Sequence, residues 1–132
     1  VVMLVEGGDL IIDGKINLSG GQTFFMAIVN GNINVDQSVS GTADNLPELE
    51  GLYLADADFN TGATVTPSSA SQLHIRGSVA AVGSSSRVVF QRDLGASNDD
   101  TPAEFFEFAP DQILLYPKIL SPKRLRWTEV AP

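Results

Sequence analysis

Residues 10–18 (LIIDGKINL), 27–35 (AIVNGNINV), 53–61 (YLADADFNT) and 73–81 (LHIRGSVAA) align without gaps as one nine-residue pattern. A recurring unit of this length constrains the fold strongly, because each copy must bury its apolar side against its neighbours. Alternation sorts the faces. One parity carries Leu10, Ile12, Ile16 and Leu18, then Ala27, Val29, Ile33 and Val35, then Tyr53, Ala55 and Phe59, then Leu73, Ile75 and Val79. The opposite parity is mostly polar, as expected of strands with one buried and one wet face.

The centre of each copy is small: Gly14, Gly31, Ala57 and Gly77. A glycine inside a strand pattern marks a bend or a close backbone approach. Corners stacked in one column predict an all-β fold, a β-solenoid of short coils. The alternative is an antiparallel β-sandwich or barrel, for which strands at shorter, even spacing are the usual sign. Outward parity begins with Ile11, Ile28 and Leu54, and with His74 in the fourth copy. The three apolar residues are expected to form an interface stripe, covered by the C-terminal segment or by a partner chain.

Two parts of one domain follow. Residues 1–86 form the repeat-built β part, ending at Gly83 and the serines after it. Residues 87–132 are expected to contribute a strand near Val88, a short helix and a basic tail, packed as a cap. The helix is placed at Thr101-Pro102-Ala103-Glu104 because an N-cap threonine, a proline at the first position and a glutamate at the third make a capping box. Pro110 is expected to end it. Lys118, Lys123, Arg124 and Arg126 are half of the chain's eight basic residues. Against a net charge of −8 they suit contact with the chain's own acidic body.

The chemistry is sparse. Asp56, Asp58 and Asn60 resemble the start of a calcium loop, but glycine falls one place late and Pro67 stands where the closing glutamate belongs. The same residues also read as the wet face of one copy. His74 is the only histidine, and no G-x-S-x-G elbow or phosphate-binding glycine loop accompanies it. No catalytic residue is assigned and the chain is read as a non-enzyme with no cofactor, calcium apart. The acidic balance argues against nucleic acid as a partner. The absence of cysteine excludes disulfides and thiolate chemistry. No apolar run reaches the roughly 18 residues that span a bilayer. The start at Val1 reads as processed or excised, and the ending at Pro132 as a natural terminus.

The central motif (IDGKI, VNGNI, ADADF, IRGSV) resembles the coils of bactofilin-type polymer-forming β-solenoid proteins, over about residues 7–83. The C-terminal part, with QRDLG and TPAEFFEF, looks like closing segments of uncharacterised bacterial surface proteins. Together these readings lead to an expected role as a non-catalytic structural or assembly domain of a cell-surface or envelope protein. Its partners would be proteins: other copies, or other parts of a larger polypeptide. The alternative is a carbohydrate-binding module or a polysaccharide-active enzyme on a β-helix scaffold. Exposed aromatics in a groove, or clustered carboxylates with a basic residue, would favour that alternative.

Overall fold

The computed structural model describes residues 1–18, 23–41, 46–62 and 71–120. Among them, nine strands alternate between two sheets. The strands β1 (Val2–Val5), β3 (Met26–Val29), β5 (Leu49–Ala55), β7 (Leu73–Ala81) and β9 (Glu104–Glu107) make a five-stranded sheet in that order. The strands β2 (Leu10–Ile12), β4 (Ile33–Val35), β6 (Phe59–Asn60) and β8 (Val88–Val89) make a four-stranded one. All pairs are parallel. A parallel pair needs a crossover, and here a strand of the other sheet lies within each crossover.

Two expectations are corrected. The expected β-solenoid of short coils gives way to two separate, open-edged, all-parallel sheets, and parallel pairing equally overturns the antiparallel sandwich or barrel. The expected capping helix at 101–104 does not form. Residues 104–107 are strand β9, hydrogen-bonded to β7, because a free sheet edge outweighs a local capping pattern. Pro110 opens a helix instead of ending one: α1 (Pro110–Leu114) carries it at its first position. Short 3₁₀ turns occupy Gly95–Asp99 and Lys118–Leu120. Lys118 is exposed; Lys123, Arg124 and Arg126 lie outside the described residues.

Register explains where the repeat holds. Ala27 pairs with Tyr53 and Ile33 with Phe59, as the nine-residue alignment requires. The outer copies are displaced. Leu10 pairs with Ile33, not Ala27, and Tyr53 pairs with Val79, not Leu73. The corners between the sheets span residues 6–9, 30–32, 56–58 and 82–87. A gap-free alignment fits only where the corner holds three residues, so it fails at the first and last.

An Asx ladder runs up these corners. Asp9 Oδ1 accepts from the Asn32 N–H (2.7 Å), Asn32 Oδ1 from Asp58 (3.1 Å) and Asp58 Oδ1 from Arg87 (2.8 Å). Between the sheets lie the fully buried Ala27, Val29, Ile33, Val35, Ala55 and Phe59. The Tyr53 ring sits 5.8 Å from Phe25 and 6.1 Å from Phe59.

Polar groups close the far end. Arg92, buried, donates from Nε to the Thr61 carbonyl (2.7 Å), from Nη1 to Gln37 and Ser71, and from Nη2 to Asp36. Glu104 Oε1 accepts from Thr61 Oγ1 (2.7 Å) and from the backbone N–H groups of Gln91 and Arg92.

Gly77 is the corner residue of the fourth copy, yet it lies inside β7, opposite Gly51. Both take positive φ, 146° and 140°. A Cβ on Gly77 would stand 1.8 Å from the Gly51 carbonyl oxygen. Gly14 meets nothing within 4 Å. Gly77→Ala is therefore expected to cost about 3–5 kcal/mol from backbone strain and overlap. Gly14→Ala should stay within about 0.5 kcal/mol. Urea unfolding of the two variants checks the contrast.

Candidate functional site

The densest polar cluster lies on the outer face of the five-stranded sheet, where three strands present outward side chains in register. Glu50, Arg76 and Glu107 form one row; His74 and Phe105 form the next. Each triplet (Glu48-Leu49-Glu50, His74-Ile75-Arg76, Phe105-Phe106-Glu107) places outward residues around one of opposite parity. Leu49 and Ile75 are buried.

Arg76 is the centre. Its guanidinium grips Asp111 of α1 through two bonds (2.6 and 3.1 Å), and reaches Glu107 (3.2 Å) and Glu50 (3.3 Å). The hydrogen bonds to Asp111 push its pKa up, and the same contact holds the Asp111 carboxyl below the usual carboxylate range. His74 Nε2 lies 3.0 Å from Glu107 Oε2, and its ring packs 4.6 Å from Phe105. His74 is 7% exposed and wedged among these groups. Glu48 is also buried: Oε2 accepts the His74 backbone N–H (2.7 Å), while Oε1 has no hydrogen bond and lies 3.7 Å from Lys15 Nζ.

The cluster lines two adjoining depressions. One, of about 370 Å³, is bordered by Glu48, Gln72, His74, Phe105 and Glu107. The other, of about 410 Å³, is bordered by Asn17, Glu50 and Arg76 and shares Leu46 and Glu107. This surface offers mainly hydrogen-bond acceptors and one aromatic wall. It suits donors such as hydroxyls.

The expected site residues are only partly brought together. Ile28 and Leu54 are neighbours in register on the outer face of the five-stranded sheet. Ile11 is not with them; it lies on the other sheet, opposite Asn34. Leu4 and Ala80 complete the row instead. The displaced first copy accounts for the error. Asp56, Asp58 and Asn60 do not converge as ligands: Asp58 serves the corner ladder, Asn60 Nδ2 donates to Asn34 Oδ1 (2.8 Å), and Asp56 is exposed. Among the described residues no group of three or more His, Cys, Asp or Glu could hold a metal ion. Sequence reasoning missed Glu48, Glu50, Glu107 and Asp111. Alternation within each triplet was the available signal, but their alignment depends on loop lengths the pattern does not encode.

The chain matches no protein-family model, no curated protein and no solved structure.

The Arg76–Asp111 pair makes a test of pH. A carboxyl with a depressed folded value contributes stability that is complete above the ordinary carboxylate range and lost as pH falls through the folded value. The Asp111 side chain is 37% exposed, so solvent screening limits the pair to about 1 kcal/mol. Asp111→Asn should flatten the acid limb of the stability curve by that amount and leave neutral-to-basic slopes unchanged, as measured by denaturant unfolding at a series of pH values.

Proposed function

We propose that this chain is a non-catalytic structural and assembly domain of a bacterial cell-surface or envelope protein, extended through its sheet edges. The open edge at β1 and β2 carries this reading. Neither strand has a neighbour on its outer side among the described residues. Met3 is 38% exposed and Leu10 only half-buried, although both hold positions that are fully buried one strand further in, at Ala27 and Ile33. A row of free N–H and C=O groups beside uncovered apolar side chains is a template for another strand.

The opposite end is aromatic: Phe90 and Phe106 meet edge-to-face at 5.8 Å and both are exposed. One end meeting the other is a head-to-tail contact, which propagates instead of closing. A further stretch of the same polypeptide could fill the first edge in the same way. An acidic chain without cysteine supports a surface setting, where a negative net charge keeps an exported domain soluble.

Light scattering over a range of concentrations tests the proposal. The mass is expected to rise with concentration. Met3→Lys, which points a charge inward at the edge, should restore a monomer with unchanged circular dichroism. A wild-type chain that stays monomeric at all concentrations overturns self-association.

The polar cluster favours a second reading, carbohydrate binding, with Glu107 accepting from sugar hydroxyls and Phe105 as the apolar wall. Titration with neutral and uronic oligosaccharides, followed by amide chemical shifts, should then perturb residues around His74 and Phe105. Phe105→Ala should abolish the effect. No shifts at millimolar sugar removes this reading.

A further inference from the structure

The two sheets take strands from the chain alternately, and the alternation breaks at the far end. From β1 to β8, each strand of the five-stranded sheet is followed by one of the four-stranded sheet. β9 has no such follower. After it the chain enters α1, which Asp111 ties to Arg76 on the outer face of the five-stranded sheet, the side turned away from β8. The five-stranded sheet therefore overhangs the other by one strand, and a strand-sized position beside β8, opposite β9, holds no strand among the described residues.

This position has one hydrogen-bonding wall and one aromatic wall. The carbonyls of Arg87 and Val89 accept from β6, at the N–H groups of Phe59 (2.9 Å) and Thr61 (3.1 Å). Successive residues of a strand turn their backbone groups to opposite sides. Val88 and Phe90 therefore turn theirs to the free edge, where they have no partner among the described residues. Side chains alternate in the same way. Val88 pairs with the fully buried Phe59, so Val88 and Phe90 point toward the five-stranded sheet. Phe106, paired with the buried Ile75, points back at them. The Phe90 and Phe106 rings touch and are still 63% and 40% exposed, because the four-stranded sheet ends at β8.

An edge of unpaired N–H and C=O groups fits one kind of partner, an extended strand. The near end of a second copy does not supply it. β1 and β2 are joined by the corner 6–9 and pair with β3 and β4 at one level. With β1 of another copy seated on β9, its β2 stands two strand spacings from β8, about 10 Å where a paired strand needs about 4.8 Å. We infer that the edge of β8 binds an extended segment of a separate polypeptide, with apolar residues at alternate positions set against Phe90 and Phe106. This goes beyond the assembly reading, since the position exists in a single molecule whether or not copies stack. β4 shows the side-chain pattern required: Ile33 and Val35 are fully buried toward the five-stranded sheet, while Asn34 between them is not.

The probe is a capped peptide of residues 30–36 (NGNINVD), with the same peptide carrying Ile33→Asp and Val35→Asp as its control. Titration into the full chain bearing Met3→Lys keeps the near edge out of the measurement, so a failure of self-association leaves this test intact. Amide hydrogen exchange at Val88 and Phe90 reads the contact directly. Exchange at both is expected to be fast in the free chain and to slow several-fold at millimolar peptide, with chemical-shift changes centred on Phe90 and Phe106. The control peptide should leave both unchanged. Phe90→Pro removes an N–H that the β6 pairing does not use and should abolish binding, read at Val88. Phe106→Ala should weaken binding several-fold and keeps the test valid if Phe90→Pro perturbs folding. Slow exchange at Val88 and Phe90 in the free monomer overturns the inference, because the edge is then filled from within the chain. Slow exchange that appears with rising concentration alongside a dimer mass overturns it in favour of a second copy. Exchange and shifts that ignore millimolar peptide overturn it as well.

Discussion

A buried arginine fixes where the chain turns back at the far end of the two sheets. Arg92 carries five guanidinium donors, and these reach carbonyls at Asp36, Gln37, Thr61 and Ser71, which follow β4, follow β6 and precede β7. Burial lowers its pKa, and the nearby Glu104, Asp36 and Glu48 counter that cost. A buried charge is tolerated when it is paired and fully hydrogen-bonded, and its loss leaves several carbonyls without a donor. Glu104 completes the arrangement by accepting from the Gln91 and Arg92 backbone, so β9 is locked at the edge of one sheet by the segment that leaves the other. The hydrophobic core alone does not impose that choice, because apolar contact is non-directional.

The corners use a second directional device. In the Asx ladder, each side-chain oxygen accepts the N–H of the next corner, so register is passed from Asp9 to Asn32, to Asp58 and to Arg87. It survives corners of unequal length because the contact needs only one residue per corner. The same contact gives Asp58 a structural part in the corner. Its carboxylate is committed to backbone geometry, as polar side chains in turns often are.

How much of this was legible in the sequence depends on the corner. The second and third copies have three-residue corners, and there the pattern gave the pairing of Ala27 with Tyr53 and of Ile33 with Phe59. Longer corners at 6–9 and 82–87 broke the alignment, and with it the placement of Ile11 and the meaning of Gly77. The polar cluster suffered similarly. Alternation showed that His74 and Arg76 share a face, but nothing local brings Glu107 beside Arg76. The TPAE segment shows the opposite failure: its local signal was sound for a helix, and an unpaired strand edge overrode it.

The outer face links these elements. Arg76 is held by carboxylates from β5, β9 and α1 at once, so the cluster pins the returning chain to the sheet it came from. Such partly exposed pairs contribute little stability individually, but a bidentate arginine–carboxylate contact is geometrically selective. Its structural consequence is direction. With Asp111 fixed on Arg76 and Tyr116 on Phe24, the segment from α1 to Tyr116 runs from beside β7 to beside β3. Three carboxylates thus surround one guanidinium, and their oxygens are turned toward it.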